Sequence, residues 1–303
     1  MFADLHLVDQ QEKEYSSCIN STTAFLASGV HLAAKIPTRV GSDTAMASQT
    51  KAEDGKLSEE STGKFFGEVI RDYVPDPKAS WRSGKPDYLI VNRTFFEYRS
   101  LEHEVGSLEA IVSKLIKNWA VEAHHIADVQ HWKTMDISKF QGAINGGCPF
   151  MAQHMSDFGA CNLFLGESRD YNCRVHSFES SQKVFRTAFP MGFAWECLEV
   201  FSGPPTVVFK WRHFGKYSGV FTDKAGRRYK GNGQMVSIVG MCIAKVNMEL
   251  QITGMDVYYN PEELTQRLTT MVDTNWRALS EDPGDAGSTQ GGGCSKNSSC
   301  VLS

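Results

Sequence analysis

Apolar residues recur at helical spacing in the first clearly patterned segment of the chain. They return every three or four positions: Leu108, Ile111, Val112, Leu115, Ile116 and Trp119. Ser107 just before them is a favoured N-cap residue, so we predict a helix that opens there. The stripe continues onto Glu122 and Ile126, which puts a carboxylate where a core residue is expected, with His125 close by.

After Pro190 the pattern changes to an alternation with a period of two, which is typical of β-strands. Strands are predicted over 193–201, 207–214, 235–246 and 250–259. Gly203 to Pro205 predicts the turn between the first two strands, and residues 218–233 predict a basic, glycine-rich loop or ribbon. Pro261 followed by two glutamates predicts a final helix.

The order of these elements predicts an α+β fold, because helices come first and antiparallel strands follow. A second helical region is predicted over 149–165. The chain divides into three zones: a leader over 1–78, a body over 79–279 and a tail over 280–303. Within the leader, residues 38–64 have few large apolar side chains and are expected to be disordered, with short helices at 25–36 and 65–73.

Composition limits the class of protein. With 303 residues, 41% of them hydrophobic, the chain can bury one substantial core. A net charge of -4 and a pI near 6.1 argue against nucleic acid as a partner. The acidic start lacks the apolar core of a signal peptide, so we expect a cytoplasmic protein. Its 8 cysteines include no C-x-x-C pair and are expected to be thiols.

The last four residues, Cys300 to Ser303, have the form of a C-a-a-X prenylation signal, and a terminal serine favours farnesyl. We therefore expect modification by protein farnesyltransferase and a peripheral position on the cytosolic face of a membrane. One lipid gives only marginal membrane binding, so a second signal is expected. Cys294 is either a palmitoylation site that supplies this signal or an exposed thiol in a polar tail.

Several segments of the body resemble the plant and fungal "pathogen-related protein" family. The likeness covers residues 79–259, and its densest segments are TAFPMGFA (187–194), FKWRHFG (209–215), GVF (219–221), SWRSGKPDY (80–88) and SLE (107–109). The resemblance implies the SnoaL-like, NTF2-like superfamily. Its fold is a cone: a curved antiparallel sheet wrapped by N-terminal helices around an apolar pocket.

Enzymes with this cone generally perform proton chemistry in a dry pocket, so the resemblance implies candidate catalytic residues. They are Glu122, His125, His213, Asp256 and Tyr258. The expected ligand-binding residues are Trp119, Trp195, Phe209, Trp211 and Arg212. A carboxylate or imidazole would take a proton, while Tyr or Arg would stabilise an oxyanion.

Structural interpretations of the same residues stay open. Glu122 with His125 could be a satisfied core pair, or the two could lie at the solvent-exposed edge of the helix. Arg212 with Glu196 or Glu199 could be a cross-strand ion pair that fixes register. The aromatic residues could be ordinary core. No metal site is expected, because His124, His125 and His131 lack a recognised ligand spacing, and no cofactor motif occurs.

The sequence therefore supports two hypotheses. The first is a domain that binds a small lipophilic molecule, with or without cofactor-free cyclase, isomerase or dehydratase activity, tethered to a membrane by a farnesyl group on Cys300. The second is a non-catalytic module, a homodimeric scaffold or stress-associated binding protein. A secreted defence protein is a third option, against which the missing signal peptide counts.

Overall fold

The structure is a computed structural model, and it describes residues 64–65 and 68–276. The helix predicted over 25–36 and the C-terminal cysteines Cys294 and Cys300 lie outside these residues. Of the stretch 38–64 that was expected to be disordered, only residue 64 is described. Within the described part of the chain, no helix is long and apolar enough to cross a membrane.

The described part of the chain contains α-helices, β-strands and short 3-10 turns. The helices are α1 Leu89–Tyr98, α2 Leu108–His125, α3 Ala152–Phe158, α4 Ala160–Leu165, α5 Phe178–Ala188 and α6 Pro261–Thr270. The strands are β1 Lys64–Phe65, β2 Glu68–Val69, β3 Gln141–Ile144, β4 Ala194–Ser202, β5 Thr206–Lys216, β6 Val220–Thr222, β7 Arg228–Lys230, β8 Met235–Val246 and β9 Ile252–Tyr258. Short 3-10 turns occur at Val129–His131 and Cys173–Val175.

The main sheet has five strands in the order β3-β9-β8-β5-β4. All neighbours are antiparallel except β3, which runs parallel to β9. Register shifts interrupt β4 twice, at 197–199 and 200–202, and a third occurs at 245–246 where β8 meets β9. Since bulges bend a strand and increase its twist, they account for the curvature of the sheet. The predicted α+β fold with a curved sheet is confirmed.

Helix α2 is the central helix, and its predicted start is correct. The Ser107 hydroxyl accepts a hydrogen bond from the Ala110 amide at 3.2 Å. Val112, Ile116, Trp119, Glu122 and Ile126 of the predicted pattern are buried, whereas Leu108 and Ile111 are 44% and 47% exposed. The predicted buried face is therefore confirmed except in the first turn of the helix.

The other sequence predictions have mixed outcomes. The four long strands, the ribbon β6–β7, the helical region α3–α4 and helix α6 are confirmed. The helix predicted over 65–73 is wrong, because β1 and β2 pair there as a short antiparallel ribbon. Helices α1 and α5 were not predicted. Helix α5 had a readable signal, since Ser177 caps it and Phe178 and Phe185 are buried.

The packed core begins before residue 79. Ile70 and Arg71 are both buried. Ile70 belongs to the same hydrophobic cluster as Tyr88 and Val91. The Arg71 guanidinium lies 3.8 Å from the centre of the Tyr88 ring and donates to the Asn92 side chain at 2.7 Å. A buried cation needs such partners, so this segment is fixed to helix α1.

The cysteines depart in part from the expectation of free thiols. Cys161, Cys173, Cys197 and Cys242 are free. Cys148 is disulfide-bonded, which corrects the prediction at that position.

Glu196 and Arg212 form a buried ion pair across β4 and β5, at the register position where the two residues face each other. The Arg212 Nε and Glu196 Oε1 atoms are 2.5 Å apart. Ser100 donates two further hydrogen bonds to the carboxylate, and Arg212 donates to the Tyr98 carbonyl at 2.8 Å. The pair therefore joins the first hairpin to the end of α1, as the structural interpretation of Arg212 predicted.

We expect Arg212→Met to lower the free energy of unfolding by about 3 kcal/mol, because Glu196 would stay buried without its cation. Urea denaturation followed by tryptophan fluorescence measures the change. The control is Lys139→Met, which removes an exposed ion pair to Asp136 and should cost less than about 1 kcal/mol. Equal effects of the two substitutions would contradict the structural role given to Arg212.

Candidate functional site

An internal cavity of about 170 Å³ lies between the main sheet and helices α2, α4, α5 and α6. Its walls are almost entirely aromatic, aliphatic or thiol side chains. They are Ile116, Lys117, Trp119, Ala120, His124, Ala160, Cys161, Phe164, Leu165, Phe185, Phe193, Trp195, Phe209, Trp211, His213, Ile238, Cys242, Met255, Val257, Tyr259 and Leu264. This apolar pocket is the candidate functional site.

The alternation of side chains along β5 and β9 determines which residues of the sheet line the cavity. Phe209, Trp211 and His213 are alternate residues of β5, so all three face the cavity. Met255 and Val257 do the same from β9, and Tyr259 continues the alternation just beyond the end of that strand. The predicted placement of His213 with Trp211 and Phe209 is confirmed.

Aromatic contacts hold the wall residues in place. The Trp211 ring meets the Tyr259 ring edge-on with centres 5.4 Å apart, and the Trp119 ring meets Phe164 in the same way at 6.2 Å. The His213 imidazole stacks on Phe193 with centres 5.1 Å apart. Such pairs are favourable beyond their buried area, so the cavity has a rigid aromatic wall.

Two histidines supply the polar character of the cavity. Burial lowers the pKa of His124 to about 4, with a smaller effect from the Arg186 charge. Burial, with a smaller effect from a charge on His124, lowers the pKa of His213 to about 3, and a hydrogen bond to the Ala194 backbone opposes this shift. Both imidazoles are therefore neutral at pH 7.

Within the part of the chain that the structure describes, three buried nitrogen atoms of wall residues have no hydrogen-bond partner: Trp119 Nε1, His124 Nδ1 and His213 Nδ1. Trp119 is only 7% exposed. Buried polar groups in native proteins are nearly always bonded, and each unsatisfied one costs free energy. Their presence around one cavity indicates a site that a polar ligand group or water would complete.

The ionisable wall side chains Tyr259, Cys161 and Cys242 are less available to a ligand or a reaction than the two histidines. The Tyr259 hydroxyl donates a short hydrogen bond to the Phe164 carbonyl, and burial raises the pKa of this phenol. Burial raises the pKa of the Cys161 thiol to about 12, and the pKa of the Cys242 thiol is raised as well. A thiol is nucleophilic only as thiolate, so neither cysteine is activated at neutral pH.

The structure brings part of the predicted site together. The following candidates line the cavity: Trp119, Trp195, Phe209, Trp211 and His213. The following do not: Glu122, His125, Arg212, Asp256 and Tyr258. Arg212 is on the opposite face of β5, paired with Glu196.

Glu122 is fully buried, but it anchors a loop instead of facing the cavity. Its carboxylate accepts from the Lys133 amide at 2.5 Å and from the Thr134 amide at 3.1 Å, and the Thr134 hydroxyl donates to it as well. Burial raises the pKa of Glu122, and these hydrogen bonds oppose the rise. Glu122 is thus a satisfied core residue, as one interpretation from sequence predicted, but its partners are Lys133 and Thr134 and not His125.

The remaining candidates lie apart from the cavity. His125 points to the other side of α2, where its ring meets Tyr88 edge-on with centres 6.1 Å apart. Burial lowers the pKa of His125 to about 3. Asp256 and Tyr258 are on the outer face of β9, where Tyr258 is 41% exposed. The alternation of β9 explains this, because 255 and 257 face inward.

Sequence reasoning missed His124, Phe164 and Tyr259. The helical signal for His124 was available, because Ile116, Ala120 and His124 are spaced by four and share one face of α2. Phe164 had no comparable signal, since its approach to Trp119 depends on how α4 packs. Among the residues that the structure describes, no cluster of three metal-ligating side chains occurs.

Comparison with curated proteins gives the family. The chain is 32% identical over 192 residues to a "Pathogen-related protein" of Hordeum vulgare, a match that covers 61% of this chain and 80% of the relative. This chain belongs to the pathogen-related protein family. The resemblance stated from the sequence motifs is thereby confirmed. No protein-family model matches the chain.

Solved structures give distant similarity. A putative SnoaL-like polyketide cyclase from Jannaschia sp. CCS1 is 14% identical, with 56% of this chain and 99% of that chain covered and a TM-score of 0.30. A putative polyketide cyclase from Acidithiobacillus ferrooxidans is also 14% identical, with 56% and 100% covered and a TM-score of 0.31. A hypothetical protein with a ketosteroid isomerase-like fold from Catenulispora acidiphila, in complex with trimethylamine, is 8% identical, with 54% and 97% covered and a TM-score of 0.30. We draw no functional conclusion from similarity at this level.

We expect Glu122→Gln to lower the free energy of unfolding by about 2 kcal/mol, because the amide group would face the donors of Lys133 and Thr134. The substitution should leave the shape of the cavity unchanged. Urea denaturation gives the stability, and Glu199→Gln on the exposed part of β4 is the control. A variant of unchanged stability that lost ligand binding would instead return Glu122 to the site.

Proposed function

We propose that this pathogen-related family member is a binding protein for a small, neutral, lipophilic molecule held in the internal cavity. The observation that carries the proposal is the cavity itself, an apolar space lined by three nitrogen atoms, Trp119 Nε1, His124 Nδ1 and His213 Nδ1, that have no hydrogen-bond partner among the described residues. If all its walls were apolar, the cavity would be equally well explained as a defect in core packing. Unpaired imidazole and indole nitrogens around it favour a ligand that supplies their hydrogen bonds.

The chemistry of the wall favours binding over catalysis. Among the described wall residues there is no carboxylate. An imidazole with a pKa of about 3 to 4 is a weak base, far below the value near 7 that suits a general base at neutral pH. The Tyr259 hydroxyl is engaged with the Phe164 carbonyl. We therefore give the cyclase, isomerase and dehydratase activities less weight than binding.

The second part of the proposal concerns the chain end. Cys300 to Ser303 has the C-a-a-X form, and we infer that farnesyl on Cys300 holds the protein at the cytosolic face of a membrane. Cys294 supplies the second lipid that stable anchoring needs. A membrane position would raise the local concentration of a lipophilic ligand, so the two parts of the proposal support each other.

We expect the protein isolated from its own cells to carry a small molecule that Ala120→Leu excludes, since the larger side chain fills the cavity wall of α2. Native mass spectrometry before and after organic extraction measures this occupancy. Ala225→Leu, at an exposed position, is the control and should retain the molecule. An empty wild-type protein would argue against the binding function, as would equal occupancy of the two variants.

We expect a mass increment of one farnesyl group, after loss of the last three residues, in protein from the same cells. Cys300→Ser should move the protein from the membrane fraction to the soluble fraction, and Cys294→Ser should weaken membrane binding without removing the farnesyl. Intact mass spectrometry and membrane fractionation make these measurements. An unmodified carboxyl terminus would refute the tether and leave the cavity proposal untouched.

A further inference from the structure

We propose that the ligand is a neutral molecule of about one six-membered ring that carries a single hydroxyl-type group, and that His124 and His213 bind this group. The inference rests on the proposed binding function and specifies its ligand class. It follows from three properties of the cavity: its volume, the absence of a charge partner in its described wall, and the positions of its unpaired nitrogens.

The volume limits the ligand to about one ring. The cavity encloses about 170 Å³. An engineered apolar protein cavity of about 150 Å³ binds benzene, whereas pockets for drug-sized ligands range from about 300 to 1,000 Å³. Several walls are aromatic rings fixed by contact with one another, such as Trp211 against Tyr259. Enlarging the space for a second fused ring would require moving these rings, which costs packing energy.

The wall offers nothing to neutralise a charged ligand. It contains no Asp, Glu or Arg among the described residues. Lys117 contributes to the wall, but its Nζ atom lies 3.4 Å from the centre of the Phe95 ring on α1. Burial lowers the pKa of Lys117 well below its usual range, and Arg71 adds to this effect. Because an unpaired buried charge is strongly unfavourable, carboxylates and ammonium ions are disfavoured.

The unpaired nitrogens select a group that both donates and accepts. A neutral imidazole has one donor and one acceptor nitrogen, so each histidine can take either role at a ligand. His124 Nδ1 and His213 Nδ1 both line this cavity without a hydrogen-bond partner among the described residues. A hydroxyl can donate to one of them and accept from the other. Stacking on Phe193 fixes the His213 ring for this contact.

The test uses four probes with the full-length protein at pH 7: toluene, phenol, benzoate and 2-naphthol. Calorimetry gives the affinities, and quenching of tryptophan fluorescence checks that the probe is near the wall. Phenol should bind about tenfold more tightly than toluene, the value of one to two net hydrogen bonds. Benzoate should bind at least about tenfold more weakly than phenol because of its charge. 2-Naphthol should also bind at least about tenfold more weakly than phenol because of its size.

Matched variants test whether the histidines cause the preference for phenol over toluene. His213→Leu should bring the affinities of phenol and toluene within about twofold of each other, while toluene still binds. His124→Asn provides the same comparison if His213→Leu does not fold. His125→Leu is the control, since His125 is buried on the same helix outside the cavity wall, and the preference for phenol should persist.

The outcomes separate this inference from the function on which it rests. Binding of 2-naphthol or benzoate as tightly as phenol overturns the ligand class and leaves a lipophile-binding cavity. Equal affinities of phenol and toluene in the wild type overturn the role of the histidines. If none of the four probes binds and the native protein carries no molecule, both the ligand class and the binding function fail.

Discussion

The buried carboxylate of Glu122 connects the central helix α2 to the main sheet of this protein. Glu122 projects from α2 and accepts hydrogen bonds from Lys133 and Thr134, and the Thr134 carbonyl in turn accepts from the Ile252 amide at the start of β9. An ionised carboxylate without these donors could not be buried, because its desolvation would be too costly. The position of α2 over the sheet, and therefore the height of the cavity between them, depends on this network.

Because a buried charge needs a partner, the charged side chains of Glu122, Glu196 and Arg212 bind other protein groups and do not line the cavity. Glu122 and Glu196 each have protein partners in their own surroundings, and Arg212 is held by Glu196 and the Tyr98 carbonyl. The described cavity wall contains no carboxylate or guanidinium group, and His124 and His213 each have a nitrogen without a hydrogen-bond partner among the described residues. The arrangement fits a receptor for an uncharged molecule better than an acid–base catalyst, whose base would need a higher pKa than these imidazoles have.

Much of the fold could be predicted because its signals are local. Alternation identified the four long strands, the cap at Ser107 located the start of α2, and family resemblance gave the curved sheet and the helical wrapping. Alternation also placed Phe209, Trp211 and His213 on one face. The prediction was wrong where pairing overrode local propensity, as in the β1–β2 ribbon, and α1 was missed because its few buried residues give little periodicity.

The sequence by itself determined the four long strands, the start of α2 and the face of β5 that is apolar, since all three are properties of neighbouring residues. Only the tertiary structure decided which polar residues reach the cavity. Glu122, His124 and His125 are all close together on α2, yet one anchors a loop, one lines the cavity and one meets Tyr88. A rotation of about 100° per residue separates these environments, and packing against the sheet sets the rotation of the whole helix.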